Sequence, residues 1–272
     1  MQKLSKTKLG IYSQLASAKS RRKYGLFRAE GEKCVADTIW CFTLECLIVS
    51  EGFMQDSLRG RESDPAGLLP AYAGYCDEEL LRVASESEMK KLSSMSNTPG
   101  LVAVYKLPEL REETPVVKED GLYVLLDGIQ DPGNLGTILR AAHWYGVDGV
   151  FASKDTVDIF NPKSIQATMG SIGHVEIRYT DICALVRNNP DIPLFATALE
   201  GENIYSVDLP KGAFIAMGSE GHGISDELRA LVGSPLYIPP YDKRNHAESL
   251  NVSVATAIVL SEFRRKYLGD LK

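Results

Sequence analysis

Residues 122–153, LYVLLDGIQDPGNLGTILRAAHWYGVDGVFAS, decide the fold. The opening run LYVLLDG is almost continuously apolar, which is typical of a strand buried on both faces. Residues 134–146 then have apolar side chains at helical spacing, and Gly146 stands at the end of that helix. The apolar stretch at 149–153 predicts another strand, so the segment predicts two strands joined by a helix.

The same alternation of strands and helices continues to the C-terminal part of the chain. Further strands are predicted at 174–179, 193–199, 212–220 and 235–240, and further helices at 161–171, 224–232 and 249–268. Short apolar strands that alternate with helices indicate a mainly parallel sheet covered on both faces. We therefore predict an α/β domain over residues 121–272.

The first half of the chain has a different pattern. A helix is predicted over 6–25, a strand over 44–53, and an edge strand over 101–107, which together indicate a small α/β domain at 1–107. Residues 108–120 are rich in acids, contain a proline and lack periodicity, so they are predicted to be a linker.

Composition excludes several classes of protein. The chain has 272 residues, of which 44% are hydrophobic and 24% charged, as in ordinary globular proteins. No apolar run is long enough to span a bilayer, and the first residues lack the apolar stretch of a signal peptide. The five cysteines, Cys34, Cys41, Cys46, Cys76 and Cys183, are scattered without CxxC spacing. We therefore expect a cytoplasmic protein with neither a metal site nor disulfides.

Charge is unevenly distributed along the chain. The net charge is −6, yet residues 1–33 hold nine Lys or Arg and only two acids, a local charge of +7. Such a segment can bind phosphates on a chain that is acidic overall, although it is also consistent with a solvated helix face. The candidate RNA contacts in it are Lys19, Arg21, Arg22, Lys23 and Arg28.

The first of three loops that each follow an apolar strand and precede a helix is DPGNLGTI, residues 131–138. It matches neither GxGxxG nor GxxxxGK[ST], so the usual dinucleotide and Walker phosphate loops are absent. Asn134 and main-chain N–H groups at a helix start can bind an anion, and Arg140 follows on the helix side shared with Thr137. The alternative is that Asn134 only caps the helix and Arg140 is a surface charge.

The second loop, GSEGHGIS at 218–225, holds the carboxylate of Glu220 among three glycines. The carboxylate of Glu220 could accept a hydrogen bond from a ribose hydroxyl, or could accept a proton. The alternative is that Glu220 is an exposed residue of a tight turn. The third loop lies in YIPPYDKRNHAESLNVSVATA at 237–257 and places Ser249 and Asn251 at the start of a helix. That helix is apolar nearly all round and is therefore expected to be buried. These polar groups need partners in the protein or in a ligand, and helix capping by Ser249 is the simpler alternative.

In this order, the loops resemble the three motifs of the SpoU/TrmH family of RNA ribose 2'-O-methyltransferases, within the SPOUT superfamily. The resemblance covers about 125–263 and includes VDIFNPKSIQATMGSI at 157–172. Residues 26–35, LFRAEGEKCV, resemble the start of the small α/β substrate-binding domain that precedes many such enzymes. The family fold is a SPOUT-type domain with a deep trefoil knot, an exception to the rule against knots.

The resemblance implies S-adenosylmethionine as the cofactor, RNA as the substrate and a homodimer whose active site draws on both subunits. Matching positions imply cofactor contacts from Thr197, Ala198, Leu199, Met217, Gly218, Glu220, Ile238, Pro239, Ser249 and Leu250. The implied catalytic residues are Arg140, Asn134, Glu220, Asn251 and Ser249. Departures from the family pattern are the longer loop at 239–249 and Gln166 where arginine is frequent, and both concern the choice of substrate.

Ribosomal RNA is favoured over transfer RNA by the two-domain layout, and a tRNA 2'-O-methyltransferase is the alternative. A dinucleotide-dependent reductase would share the parallel sheet but should contain GxGxxG, which is missing. A non-catalytic RNA-binding protein of this fold would be expected to lose Arg140, Asn251 or Glu220, and all three are present.

Overall fold

The computed structural model describes residues 2–58, 80–108, 116–233, 235–242 and 244–267. Cys76 and residues 109–115 of the predicted linker lie outside these ranges.

The described residues form two compact units. The first comprises those of Met1–Arg111 together with Asp158–Gly173, and the second those of Glu112–Val157 together with His174–Lys272. Nothing in the sequence signals that residues 158–173 group with the first half, because in the chain they lie between two strands of the second unit.

The strands are β1 Gln2–Lys3, β2 Leu26–Glu30, β3 Leu44–Ser50, β4 Leu81–Ala84, β5 Leu101–Lys106, β6 Leu122–Asp127, β7 Gly149–Ala152, β8 Ile177–Tyr179, β9 Leu194–Ala198, β10 Glu202–Asn203, β11 Ala213–Gly218 and β12 Leu236–Tyr237. The helices are α1 Lys6–Ser13, α2 Ala18–Tyr24, α3 Glu32–Thr38, α4 Glu51–Leu58, α5 Glu86–Leu92, α6 Pro132–Trp144, α7 Pro162–Thr168, α8 Ile182–Arg187, α9 Asp226–Arg229 and α10 Val252–Arg265. Two short 3-10 turns lie at Gln14–Ala16 and Ser171–Gly173. Within these described ranges no helix is both long and apolar enough to cross a membrane.

The first unit is built on a five-stranded sheet in the order β1-β4-β3-β5-β2. Strand β5 pairs antiparallel with both β2 and β3, so the expectation of an edge strand at 101–107 is wrong. Residues Leu101 to Tyr105 are all buried, which is the burial of an interior strand.

The single helix predicted over 6–25 is also wrong, because the chain forms α1, a 3-10 turn and α2 in succession. Ser17 interrupts it with extended backbone angles of φ −83° and ψ 131°. Serine competes poorly in helix interiors because its side chain favours caps and turns. Gly25, in the left-handed conformation at φ 63°, ends α2.

The second unit is built on a seven-stranded sheet in the order β10-β12-β9-β11-β6-β7-β8. Each neighbouring pair in this sheet is parallel, which confirms the predicted mainly parallel α/β architecture. The central strand β6 is buried along its whole length, as its continuous apolar run predicts.

The two helices that carry candidate site residues begin differently from the prediction. Helix α6 begins at Pro132, and Asp131 caps it by accepting the N–H of Asn134 at 2.8 Å, so Asn134 is not the cap. Helix α10 is capped by Asn251 rather than Ser249. Its predicted burial nearly all round is wrong, because Val254 is 48% exposed.

Candidate active site

The three loops follow strands β6, β11 and β12 of the second sheet, in which β6 and β11 are neighbours and β9 lies between β11 and β12. The first loop follows β6, the second follows β11, and the third follows β12, which pairs with β9 beside β11. Gly218 is in register with Asp127, and Tyr237 with Ala198. Because the strands are parallel, the loops leave from the same edge of the sheet, where α/β proteins bind ligands.

Asn134, Glu220 and Asn251 form one hydrogen-bonded cluster, called the Asn–Glu–Asn cluster below. Glu220 Oε1 accepts from Asn134 Nδ2 and from Asn251 Nδ2, both at 2.8 Å. Asn251 Nδ2 also donates to Asn134 Oδ1 at 3.0 Å. Each of the three loops therefore contributes one side chain to this cluster.

Two residues that the sequence analysis did not single out shape this cluster. Asp131 takes over the capping of α6 and so frees the side-chain amide of Asn134. Ser253 donates to Asn251 Oδ1 from its main-chain N–H at 3.0 Å and from its hydroxyl at 2.6 Å. An Asp-Pro pair before a helix is a strong start signal and could have identified Asp131.

The second loop folds tightly back on itself. Ser219 and Gly223 exchange main-chain hydrogen bonds, and Gly223 has a φ of 69°. A Cβ atom on Gly218 would lie 2.1 Å from the carbonyl carbon of Gly223, so only glycine fits there. Asp127 Oδ2 accepts the N–H of Ser225 at 2.7 Å and ties this loop to the end of β6.

Most of the candidate cofactor residues lie at the ends of β9, β11 and β12, whereas Ser249 and Leu250 immediately precede the cap of α10. Thr197 Oγ1 approaches Met217 Sδ at 3.9 Å, and Met217 is buried beneath the strand ends. Leu199 and Leu250 are 68% and 46% exposed, so each presents an apolar surface at this edge. Ile238 and Pro239 are half-buried, whereas Ala198 and Ser249 are exposed. The exposed side chains of Leu199 and Leu250, together with the exposed hydroxyl of Ser249, suit the adenosyl part of S-adenosylmethionine.

Arg140 is not part of the cluster within one chain. It lies on the exposed face of α6, and its side chain forms no hydrogen bond or ion pair with another described residue. The hydroxyl of Ser249 likewise has no hydrogen-bond partner in the part of the chain that the structure describes. Both residues are therefore free to meet a ligand or a second subunit.

The basic candidates for RNA binding divide into two groups. Lys19, Arg22 and Lys23 are exposed on α2. Arg21 and Arg28 are each 2% exposed, so assigning them as RNA contacts is wrong. Their charge is already satisfied inside the first unit.

Arg21 donates through Nε and Nη2 to Asp158 Oδ2 at 3.1 and 2.5 Å. Arg28 donates to Glu30 Oε1 at 2.7 Å and to the Tyr12 carbonyl at 2.9 Å. Both arginines therefore serve the packing of the first unit rather than its surface.

The described residues contain no group of three or more His, Cys, Asp or Glu side chains that could hold a metal ion. Cys34, Cys41, Cys46 and Cys183 are free thiols. Burial raises the pKa of Cys34 to about 12, so this thiol stays protonated and unreactive at neutral pH.

A model of the SpoU rRNA methylase family matches residues 121–261. The chain is 29% identical over 261 residues to the 23S rRNA (guanosine(2553)-2'-O)-methyltransferase RlmP of Bacillus subtilis, and the match covers 94% of this chain and 96% of that one.

Two solved structures share the fold along nearly the whole chain. An RNA 2'-O ribose methyltransferase is 27% identical with a TM-score of 0.81, covering 98% of this chain and 100% of that one. An AdoMet-bound rRNA methyltransferase from Sinorhizobium meliloti is 26% identical with a TM-score of 0.78, covering 98% of both chains. The resemblance seen in the three loops is thereby confirmed, and the chain belongs to the SpoU rRNA methylase family of RNA methyltransferases.

Proposed function

We propose that the RNA that this enzyme methylates is ribosomal RNA. The reaction transfers the methyl group of S-adenosylmethionine to a ribose 2'-hydroxyl. The observation that carries the choice of ribosomal RNA is the similarity to RlmP, which extends over 94% of this chain and so includes the first unit. The SpoU/TrmH catalytic half alone does not distinguish the two RNA classes.

Radiolabelled methyl transfer tests this assignment. Purified protein is incubated with methyl-labelled S-adenosylmethionine and, separately, with ribosomal RNA, ribosomal subunits or bulk tRNA from a strain that lacks the gene. We expect label in ribosomal RNA, in nucleosides whose 2'-O-methyl group blocks alkaline cleavage of the adjacent phosphodiester. Stronger labelling of tRNA would overturn the choice of RNA, and label in the bases would overturn ribose as the target.

The mechanism follows from the positions of the charged and amide groups. S-adenosylmethionine, when bound, supplies a methyl group bonded to a positively charged sulfur. When the methyl group is transferred, that sulfur departs readily as a neutral thioether. The protein must then orient the ribose hydroxyl and stabilise the negative charge that develops on its oxygen. The second oxygen of Glu220 accepts no hydrogen bond from the described residues and is free to accept one from a ribose hydroxyl.

Arg140 supplies the positive charge in this scheme. A guanidinium does not lose its proton in proteins, so Arg140 stabilises the developing alkoxide rather than acting as the base. The proton of the 2'-hydroxyl leaves along its hydrogen bond to the free oxygen of Glu220, which is the proton acceptor in this scheme. Ser249, exposed at the end of the third loop, serves as a further donor to the substrate or cofactor.

The proposal includes a trefoil knot in the second unit and a homodimer, as the family resemblance implies, and a cytoplasmic location, which the scattered cysteines favour. In support of the dimer, α6 and α10 together bear an apolar surface. Trp144 is 84% exposed, and an open hollow nearby is lined by Tyr145, Val254 and Ile258. An apolar patch of this kind marks an interface, and in the proposed dimer Arg140 serves the cluster of the partner subunit.

Val254→Glu is expected to convert the dimer into a monomer without unfolding the protein. The residue is 48% exposed, so the charge disturbs an interface rather than the core. Sedimentation velocity measures the outcome. The matched control is Val116→Glu, because Val116 is 91% exposed elsewhere on the second unit and should leave the dimer intact. A Val254→Glu variant that remains dimeric would contradict this interface.

Replacing Lys19, Arg22 and Lys23 together with alanine is expected to weaken RNA binding and leave S-adenosylmethionine affinity unchanged. All three are exposed on α2, and each phosphate contact contributes about 0.7–0.9 to the slope of log affinity against log salt. Filter binding over a salt series measures the RNA affinity and its salt dependence, and calorimetry measures the affinity for S-adenosylmethionine. Lys90 and Lys91, exposed on α5, give the control pair. Equal losses in the control variant would refute a specific role for α2.

A further inference from the structure

Ser253 contacts the Asn–Glu–Asn cluster from its buried side. It is the second residue of α10 and only 6% exposed. Its main-chain N–H donates to Asn251 Oδ1 in the manner usual for a helix cap, and its hydroxyl adds a 2.6 Å hydrogen bond to the same oxygen. We propose that Ser253 is a positioning residue for methyl transfer, which holds the side-chain amide of Asn251 in one orientation.

The orientation of Asn251 determines the direction of every other hydrogen bond in the cluster. With Oδ1 held by Ser253, the NH2 group of Asn251 faces Glu220 Oε1 and Asn134 Oδ1. Asn134 must then accept with its oxygen and donate with its own NH2 group to Glu220. An ionised carboxylate only accepts, so this arrangement satisfies all three side chains without conflict.

The consequence for the reaction concerns Glu220. Both amide donors converge on its Oε1, which fixes the carboxylate plane and leaves the other oxygen for the substrate hydroxyl. Loss of the Ser253 hydroxyl removes one of the two hydrogen bonds that Asn251 Oδ1 accepts, so the amide of Asn251, and with it the carboxylate of Glu220, is held less firmly. This inference rests on the catalytic role proposed above for the cluster. A small displacement of a positioned group lowers the rate of the chemical step more than it lowers binding.

Ser253→Ala tests the proposal, with Thr256→Val as a matched control on the same helix. Thr256 is fully buried, and its hydroxyl donates at 2.7 Å to the Val252 carbonyl, outside the cluster. We expect Ser253→Ala to lower kcat about tenfold, the value of one hydrogen bond, with KM for S-adenosylmethionine changed by less than about twofold. Ser253→Thr keeps the hydroxyl and should restore most of kcat. The Thr256→Val variant should lose about as much thermal stability as the Ser253→Ala variant, but its kcat should stay at the wild-type value.

Wild-type kcat in Ser253→Ala would overturn the positioning role, as would an equal fall of kcat in Thr256→Val, because the effect would then be general loosening of α10. Glu220→Gln is measured alongside to separate two failures. A large fall of kcat in Glu220→Gln with normal Ser253→Ala overturns the positioning role alone. Normal kcat in both variants overturns the role of the whole cluster.

Discussion

Replacing Arg140 with alanine is expected to lower the rate of methyl transfer by about 100-fold or more, the loss that follows removal of one preorganised donor. Arg140 is exposed on α6 and forms no hydrogen bond or ion pair within the described residues, so its removal should cost little stability. The candidate cofactor residues follow β9, β11 and β12, whereas Arg140 follows β6. The affinity for S-adenosylmethionine should therefore stay nearly constant. Single-turnover kinetics and calorimetry measure the two quantities separately.

Arg140→Lys shows whether charge alone suffices. Lysine keeps the positive charge but lacks the planar fork that can contact ribose and phosphate together, so this variant should remain badly impaired. A lysine variant near the wild-type rate would refute the orienting role, and an alanine variant near that rate would remove Arg140 from the mechanism.

Mixed dimers test whether the active site is shared between subunits. Arg140→Ala and Glu220→Gln are each inactive alone in this scheme. If Arg140 serves the cluster of the partner subunit, half of the dimers in an equal mixture carry one intact site, and about a quarter of the wild-type activity returns. Absence of recovery in a mixture shown to contain heterodimers would place Arg140 and Glu220 of one chain in the same site.

Arg28→Met is expected to destabilise the first unit by about 3–5 kcal/mol, because it leaves the carboxylate of Glu30 buried without its cation. The two side chains are 2% and 4% exposed and lie 2.7 Å apart. Glu30 keeps the hydroxyl of Ser93 and the N–H of Ser94 as donors, at 2.7 and 2.8 Å, which places the effect toward the lower end. Urea denaturation, followed on the transition of the first unit, measures the loss.

The control for this prediction is Lys33→Met, which breaks an exposed ion pair with Asp37 on α3 and should change stability by less than about 0.5 kcal/mol. Combining Arg28→Met with Glu30→Leu should regain part of the loss, because no charge is then left buried. A single Arg28→Met variant as stable as wild type would show that water reaches Glu30 in the folded protein.

The sequence predicts the second unit well because its strands are continuous apolar runs and two of its three site loops are marked by clustered glycines. The parallel sheet and the convergence of Asn134, Glu220 and Asn251 follow from that pattern and the resemblance. Helix starts are predicted less well, since Asn134 and Asp131 are both good caps and only the position of Pro132 separates them.

Burial of charge is what sequence cannot reveal here. Arg21, Arg22 and Lys23 are adjacent and equally basic, yet Arg21 alone turns inward, toward a carboxylate 137 residues away in the chain. The edge position predicted for 101–107 failed for a related reason, because alternation in one strand says little about how many partners flank it.

The grouping of residues 158–173 with the first unit limits how this enzyme can be recombined with its relatives. The rings of Phe160 and Phe27 pack at a tilt with their centroids 4.7 Å apart, and Asp158 pairs with Arg21. A Cβ atom on Gly170 would lie 2.2 Å from the Cβ of Asp37. A chimera joined at residue 120 would separate these partners and leave a buried arginine without its acid. Exchange of the N-terminal half for that of a relative therefore requires that residues 158–173 be exchanged together with it.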